Sequence, residues 1–81
     1  MTKILIIDDE APIRASLREI LEYEGYQVQE AESGKEGVRL ATKFSYDVIF
    51  CDIKMPEMDG MEVLDALSAQ LTQTCVVMIS G

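Results

Sequence analysis

The sequence predicts an α/β domain: a parallel sheet covered by helices on both faces. Strand-length apolar runs alternate with segments of helical periodicity, and two of those runs end in acids. Ile4, Leu5, Ile6 and Ile7 lead into Asp8, Asp9 and Glu10, and Val48, Ile49, Phe50 and Cys51 lead into Asp52. Acids belong on the rim of a sheet and not in its core. If both runs are parallel strands, Asp8, Asp9 and Asp52 converge at the carboxyl edge, where open α/β sheets place their ligand sites. Three clustered carboxylates repel one another and favour a hard, oxygen-seeking cation such as Mg2+.

Each element follows from local pattern. Residues 3–7 read as a strand buried on both sides. Over 11–24, Pro12 suits a first helical turn, Ile13, Leu17, Ile20 and Leu21 share a face, and Gly25 suits the stop. Residues 26–30 alternate, as in a less buried strand at the sheet's edge. Ser33 and Glu36 have the spacing of a capping box and open a second helix whose face is Gly37, Leu40, Ala41 and Phe44. Residues 47–51 form a third strand, and residues 54–60, with Pro56 and Gly60, form a tight loop. Leu64, Leu67 and Leu71 mark a third helix, and residues 74–79 a fourth, continuously apolar strand before Ser80 and Gly81.

Composition narrows the function. An 81-residue chain is one domain at most, so residues 1–81 are read as a single unit. Fifteen acids against seven bases give a net charge of -8, which argues against nucleic-acid binding by this segment and favours cationic partners. No apolar stretch approaches the roughly 20 residues of a membrane span, and the first ten residues lack the features of a signal peptide, so a cytoplasmic location is expected. Cys51 closes one expected strand and Cys75 opens its neighbour, too far apart for a disulfide, whose Cα atoms lie within about 7 Å. Both are therefore read as buried, reduced thiols. With no histidine in the chain, His-based metal sites, triads and phosphohistidine chemistry are excluded within it.

The acids, the run Asp52, Ile53, Lys54, Met55, Pro56, Glu57, Met58, Asp59, Gly60, and Ser80 at the end of the fourth strand resemble, in this order, the receiver domain of two-component response regulators. The resemblance spans all 81 residues. It implies a flavodoxin-like, CheY-like sheet of strand order 2-1-3-4. It makes Asp52 the phosphoacceptor for a sensor histidine kinase or phosphotransfer protein, switching an output domain that in some relatives acts in transcription. Asp9, Asp52 and the backbone carbonyl of Lys54 would ligate Mg2+ directly, with Asp8 acting largely through water. Ser80 matches the switch hydroxyl, assisted by the backbone N–H of Gly81. Blander roles compete with each assignment: Asp8 and Asp9 can offset a helix dipole, Asp52 can cap a turn, and Ser80 can be a surface hydroxyl.

The family pattern has five strand-helix units, and this sequence stops at the fourth strand. Helix four, strand five with its Lys and aromatic switch residue, and helix five have no counterpart, and Lys3, Lys35, Lys43 and Lys54 do not match that Lys. Two classes of function follow: a regulatory phosphoacceptor, which is no enzyme beyond its own phosphorylation and dephosphorylation, or a phosphorylation-incompetent interaction module. A haloacid-dehalogenase-type phosphatase ranks third, because its usual second acid is replaced by Lys54. Without a fifth strand, the apolar fourth strand has an unpaired edge, and the chain is expected to self-associate through it.

Overall fold

The computed structural model describes residues 1–70 and 72–79. Strands β1 (Lys3–Ile7), β2 (Gln27–Ala31), β3 (Val48–Asp52) and β4 (Cys75–Ile79) alternate with helices α1 (Ala11–Tyr23), α2 (Gly34–Lys43) and α3 (Gly60–Ala66), and a 3-10 turn, Ser68–Gln70, follows α3. All pairings are parallel and the sheet order is β2-β1-β3-β4, as expected. Ile7 pairs with Cys51, so the next residues, Asp8 just past β1 and Asp52 at the end of β3, lie side by side. That register sets the site.

Strand alternation sorts the core into two layers. Leu5, Ile7, Ile49 and Cys51 face α2 and α3, packing with Leu40, Ala41, Val63 and Leu67. Ile4, Ile6 and Val28 form the opposite layer with Leu17 and Leu21 of α1 and with Val48 and Phe50. Ile4, Leu5, Ile6 and Ile7 are each at most 2% exposed, because β1 lies inside the sheet with helices on both faces. Each such side chain contributes about 1.5–3 kcal/mol by leaving water.

Helix ends follow local chemistry, with departures from expectation. Pro12 lies in the first turn of α1, and the helix ends at Tyr23 with Glu24 as its cap, just before Gly25, whose φ of 94° is costly for any residue with a Cβ. Ser33 accepts the Glu36 N–H at 3.1 Å, but Glu36 turns to Arg39, at 2.7 and 2.9 Å, so only one side-chain bond of the capping box is recorded. Asp59 caps α3 through the Glu62 N–H at 2.9 Å.

Several predicted faces are corrected. Ile20 of α1 is 60% exposed and Phe44 is 49% exposed, since neither projects onto the sheet. In α3 the buried pair is Val63 and Leu67, and Leu64 is only half-buried. The i, i+4 pair Val63 and Leu67 is the face that packs into the core, so Leu67 lies where the leucine spacing put it and Leu64 sits one residue off that face. Leu71 lies outside the described residues. The strand ends also shift: β2 runs one residue later than expected, and β3 excludes Asp47 and includes Asp52. Both cysteines are free, but Cys75 is exposed and only Cys51 is buried. Cys75 begins the edge strand β4 on the α1 side, opposite half-buried Val48, where α1 does not reach.

Candidate functional site

The end of β1 is built around Asp8. Its N–H donates to the Ala31 carbonyl at 3.1 Å, extending the ladder to β2 by one residue. Its carboxylate Oδ1 accepts the Glu10 N–H at 2.8 Å, a side-chain turn that carries the chain over the sheet edge into α1. Asp8 is 1% exposed and Asp52 7% exposed, whereas Asp9 is exposed. At the end of β3, Asp52 Oδ1 accepts the Lys54 N–H at 3.3 Å. Carboxylate oxygens of Asp8, Asp9 and Asp52 lie within 4.8 Å of one another. The three acids singled out in the sequence thus meet at one place.

Crowding of like charge at a dry edge has electrostatic consequences. Burial pushes the Asp8 pKa above its ordinary value of 3.8, the Glu10 N–H opposes this, Asp52 and Asp9 add to it, and Arg14 opposes it. Beneath the site, burial and the charges of Asp52 and Asp8 push the Cys51 thiol up to about 11. Cys51 therefore stays protonated, donating to the Asp52 carbonyl at 3.5 Å, and is no nucleophile at neutral pH. Hard carboxylate oxygens, one of them buried and destabilised as an anion, fit a small divalent cation such as Mg2+.

The β3–α3 loop folds back over this edge. The Ile53 N–H donates to the Ile79 carbonyl at 3.0 Å, and the Gly60 N–H donates to the Ile53 carbonyl at 2.9 Å. Met55 is buried against the α2 and α3 layer, pinning the middle of the loop. Glu57 has a φ of 67°, a left-handed conformation that a side chain disfavours. Gly60 has no such freedom to offer but leaves essential room: a Cβ there would stand 2.6 Å from the Asp52 carbonyl oxygen and 2.7 Å from Ile53 Cα. Lys54 has an exposed side chain. Ser80 and Gly81 lie outside the described residues, but Ile79, just before them, pairs with Asp52.

One group was not singled out from the sequence. Arg14 Nη1 donates to the Asp8 carbonyl at 2.7 Å and its Nε to Glu30 Oε1 at 3.1 Å. Glu30 Oε2 in turn accepts Arg18 Nη1 at 2.7 Å. The available signal was the i, i+4 spacing of Arg14 and Arg18 beside the apolar stripe of α1, facing an acid on β2.

The sequence matches the family model of the response regulator receiver domain over residues 4–81. It is 50% identical over 62 residues to the transcriptional regulatory protein ResD of Bacillus subtilis, which covers 76% of this chain and 26% of that protein. A receiver domain protein (CheY-like) from Methanospirillum hungatei superposes with a TM-score of 0.94 at 34% identity, over 100% of this chain and 65% of that one. Response regulator TrrA of Thermotoga maritima, solved in complex with Mg(2+)-BeF, superposes with a TM-score of 0.93 at 34% identity, over 99% of this chain and 70% of that one. The chain spans 22% to 34% of the length of the first curated relatives it matches. Acids at two adjacent strand ends, a β2-β1-β3-β4 parallel sheet and the match over 4–81 together place the chain in the family of response regulator receiver domains.

Proposed function

We propose that Asp52 is the phosphoacceptor of a Mg2+-dependent signalling receiver, taking a phosphoryl group from a sensor histidine kinase or phosphotransfer protein and switching an output domain. The observation that carries this reading is the meeting of Asp8, Asp9 and Asp52 oxygens within 4.8 Å. Asp52 Oδ1 is engaged by the Lys54 N–H, so the other oxygen attacks phosphorus. A P–N bond of the donor phosphoimidazole breaks, its electron pair leaves with the imidazole, and an acyl phosphate forms on Asp52. Asp9, Asp52 and the Lys54 carbonyl would hold Mg2+ directly, with Asp8 acting through water. Bound there, Mg2+ supplies neutralisation of the oxygens on the transferring group. Ser80 is assigned the switch hydroxyl, because Ile79 before it pairs with Asp52.

The described residues correspond to the first four strand units of a receiver, and the solved relatives extend beyond the region matched. Two free thiols and the proposed kinase partner fit a cytoplasmic location; among the described residues no helix is long and apolar enough to cross a membrane. Incubation with acetyl phosphate and Mg2+, followed by mapping of the label, tests the assignment. Label is expected on Asp52 and absent in Asp52→Asn. Label that survives Asp52→Asn overturns it.

A second reading, an assembly module, is favoured by one observation. Strand β4 is recorded in pairing with β3 alone among the described residues, and its Cys75 and Val77 are exposed. An unpaired apolar edge templates another strand. Self-association of the 81-residue form through β4 is compatible with the phosphoacceptor reading.

A further inference from the structure

We propose that Arg14 is a positioning residue for the acidic site, its guanidinium holding the Asp8 carbonyl and so fixing where Asp9 stands relative to Asp52. The inference rests on the metal-site reading above. Asp9 is the exposed member of the three acids, so packing does little to place it. Its backbone is instead tied on both sides. Before it, the planar Asp8–Asp9 peptide is held by Arg14 Nη1 at 2.7 Å from the Asp8 oxygen, and after it the Glu10 N–H is held by Asp8 Oδ1 at 2.8 Å. Arg14 is itself anchored: its side chain is 14% exposed, and Nε is 3.1 Å from Glu30 on β2. The guanidinium thus braces the β1–α1 loop against β2, using two edges of a rigid fork that a lysine ammonium cannot reproduce.

The two consequences of Arg14 oppose each other, which makes the role testable. Its charge lies close enough to Asp8 to favour the carboxylate, and a nearby cation weakens binding of another cation. If Arg14 acted through charge alone, Arg14→Met would bind Mg2+ more tightly. Positioning requires the reverse.

The experiment is calorimetric titration of the 81-residue chain with Mg2+, comparing wild type with Arg14→Met, Arg14→Lys, Glu30→Gln and, as a surface ion-pair control, Arg39→Met. Circular dichroism before titration establishes that each protein is folded. Arg14→Met and Arg14→Lys are expected to lose about tenfold in Mg2+ affinity, as supporting contacts of metal ligands commonly do. Glu30→Gln should lose affinity in the same direction and Arg39→Met should match wild type. Equal or tighter binding by folded Arg14→Lys overturns the positioning role while leaving the metal site standing. Absence of Mg2+ binding by wild type overturns the metal-site reading, and this inference with it. If Arg14→Met fails to fold, Arg14→Lys and Glu30→Gln decide.

Discussion

At Asp8 burial and ionisation are in conflict, and the conflict has a sign. The pKa of Asp8 is raised in the folded state, chiefly by burial, so the contribution of this group to stability is fully present below its unfolded pKa and is lost as pH rises through the folded value. Asp8→Asn should therefore raise the metal-free melting temperature at neutral pH, with the gain shrinking as pH falls toward about 4. Thermal unfolding of both proteins across that range checks this; a variant less stable at neutral pH contradicts it. Glu30 has the opposite sign, because Arg18 first and Arg14 second hold its carboxyl below the ordinary range. Glu30→Gln should cost stability at neutral pH, and the cost should fade in acid as pH drops through the folded pKa. Asp8, Asp9 and Asp52 were legible in the sequence because a helix dipole or a turn cap accounts for these acids one strand end at a time, whereas a shared site accounts for both ends together. Arg14 was not, since its partner in the site is a main-chain carbonyl, which leaves no mark in residue type.

The elements that matter most are the loops leaving β1 and β3, and the second of these carries strain. Glu57 sits at a φ of 67°, where a side chain costs roughly 1–2 kcal/mol, partly offset in a glycine variant by the entropy glycine loses on folding. Glu57→Gly should gain up to about 1 kcal/mol by urea denaturation, with Mg2+ affinity unchanged. Gly60→Ala should lose roughly 1–3 kcal/mol, because its Cβ would meet the Asp52 carbonyl, which is backbone and cannot move without shifting the site. Equal stability of Gly60→Ala and wild type would show that the loop gives way more easily than these distances imply. The order and type of every predicted strand and helix were legible from periodicity and from the Ser33, Pro12 and Gly25 signals. Faces were less so. Leu64 and Leu67 suggested a stripe in α3, yet Val63 joins Leu67 on the buried face and Leu64 is only half-buried, because Val63 and Leu67 are the i, i+4 pair that packs into the core.

Across the whole molecule the sheet is covered unevenly. Two helices lie on one face, whereas on the other α1 packs against β1 and β2, leaving Val77 37% exposed on β4. Periodicity alone does not give the strand order; the order 2-1-3-4 was expected only through the resemblance to receivers, and the sheet has it. Light scattering of the 81-residue chain should show concentration-dependent association that Val77→Lys reduces, working against the repulsion of a net charge of -8. A monomer at high concentration, or an unchanged Val77→Lys assembly, excludes the β4 edge. Three carboxylates from two neighbouring strand ends are proposed to act as one Mg2+-dependent phosphoacceptor site. Fluorine NMR with beryllofluoride, a mimic of the phosphoryl group, decides whether they do. The predicted result is a bound fluorine resonance that requires Mg2+ and disappears in both Asp52→Asn and Asp9→Ala. A bound resonance that persists without Mg2+ or in Asp52→Asn, or none at all in wild type with Mg2+, would contradict it.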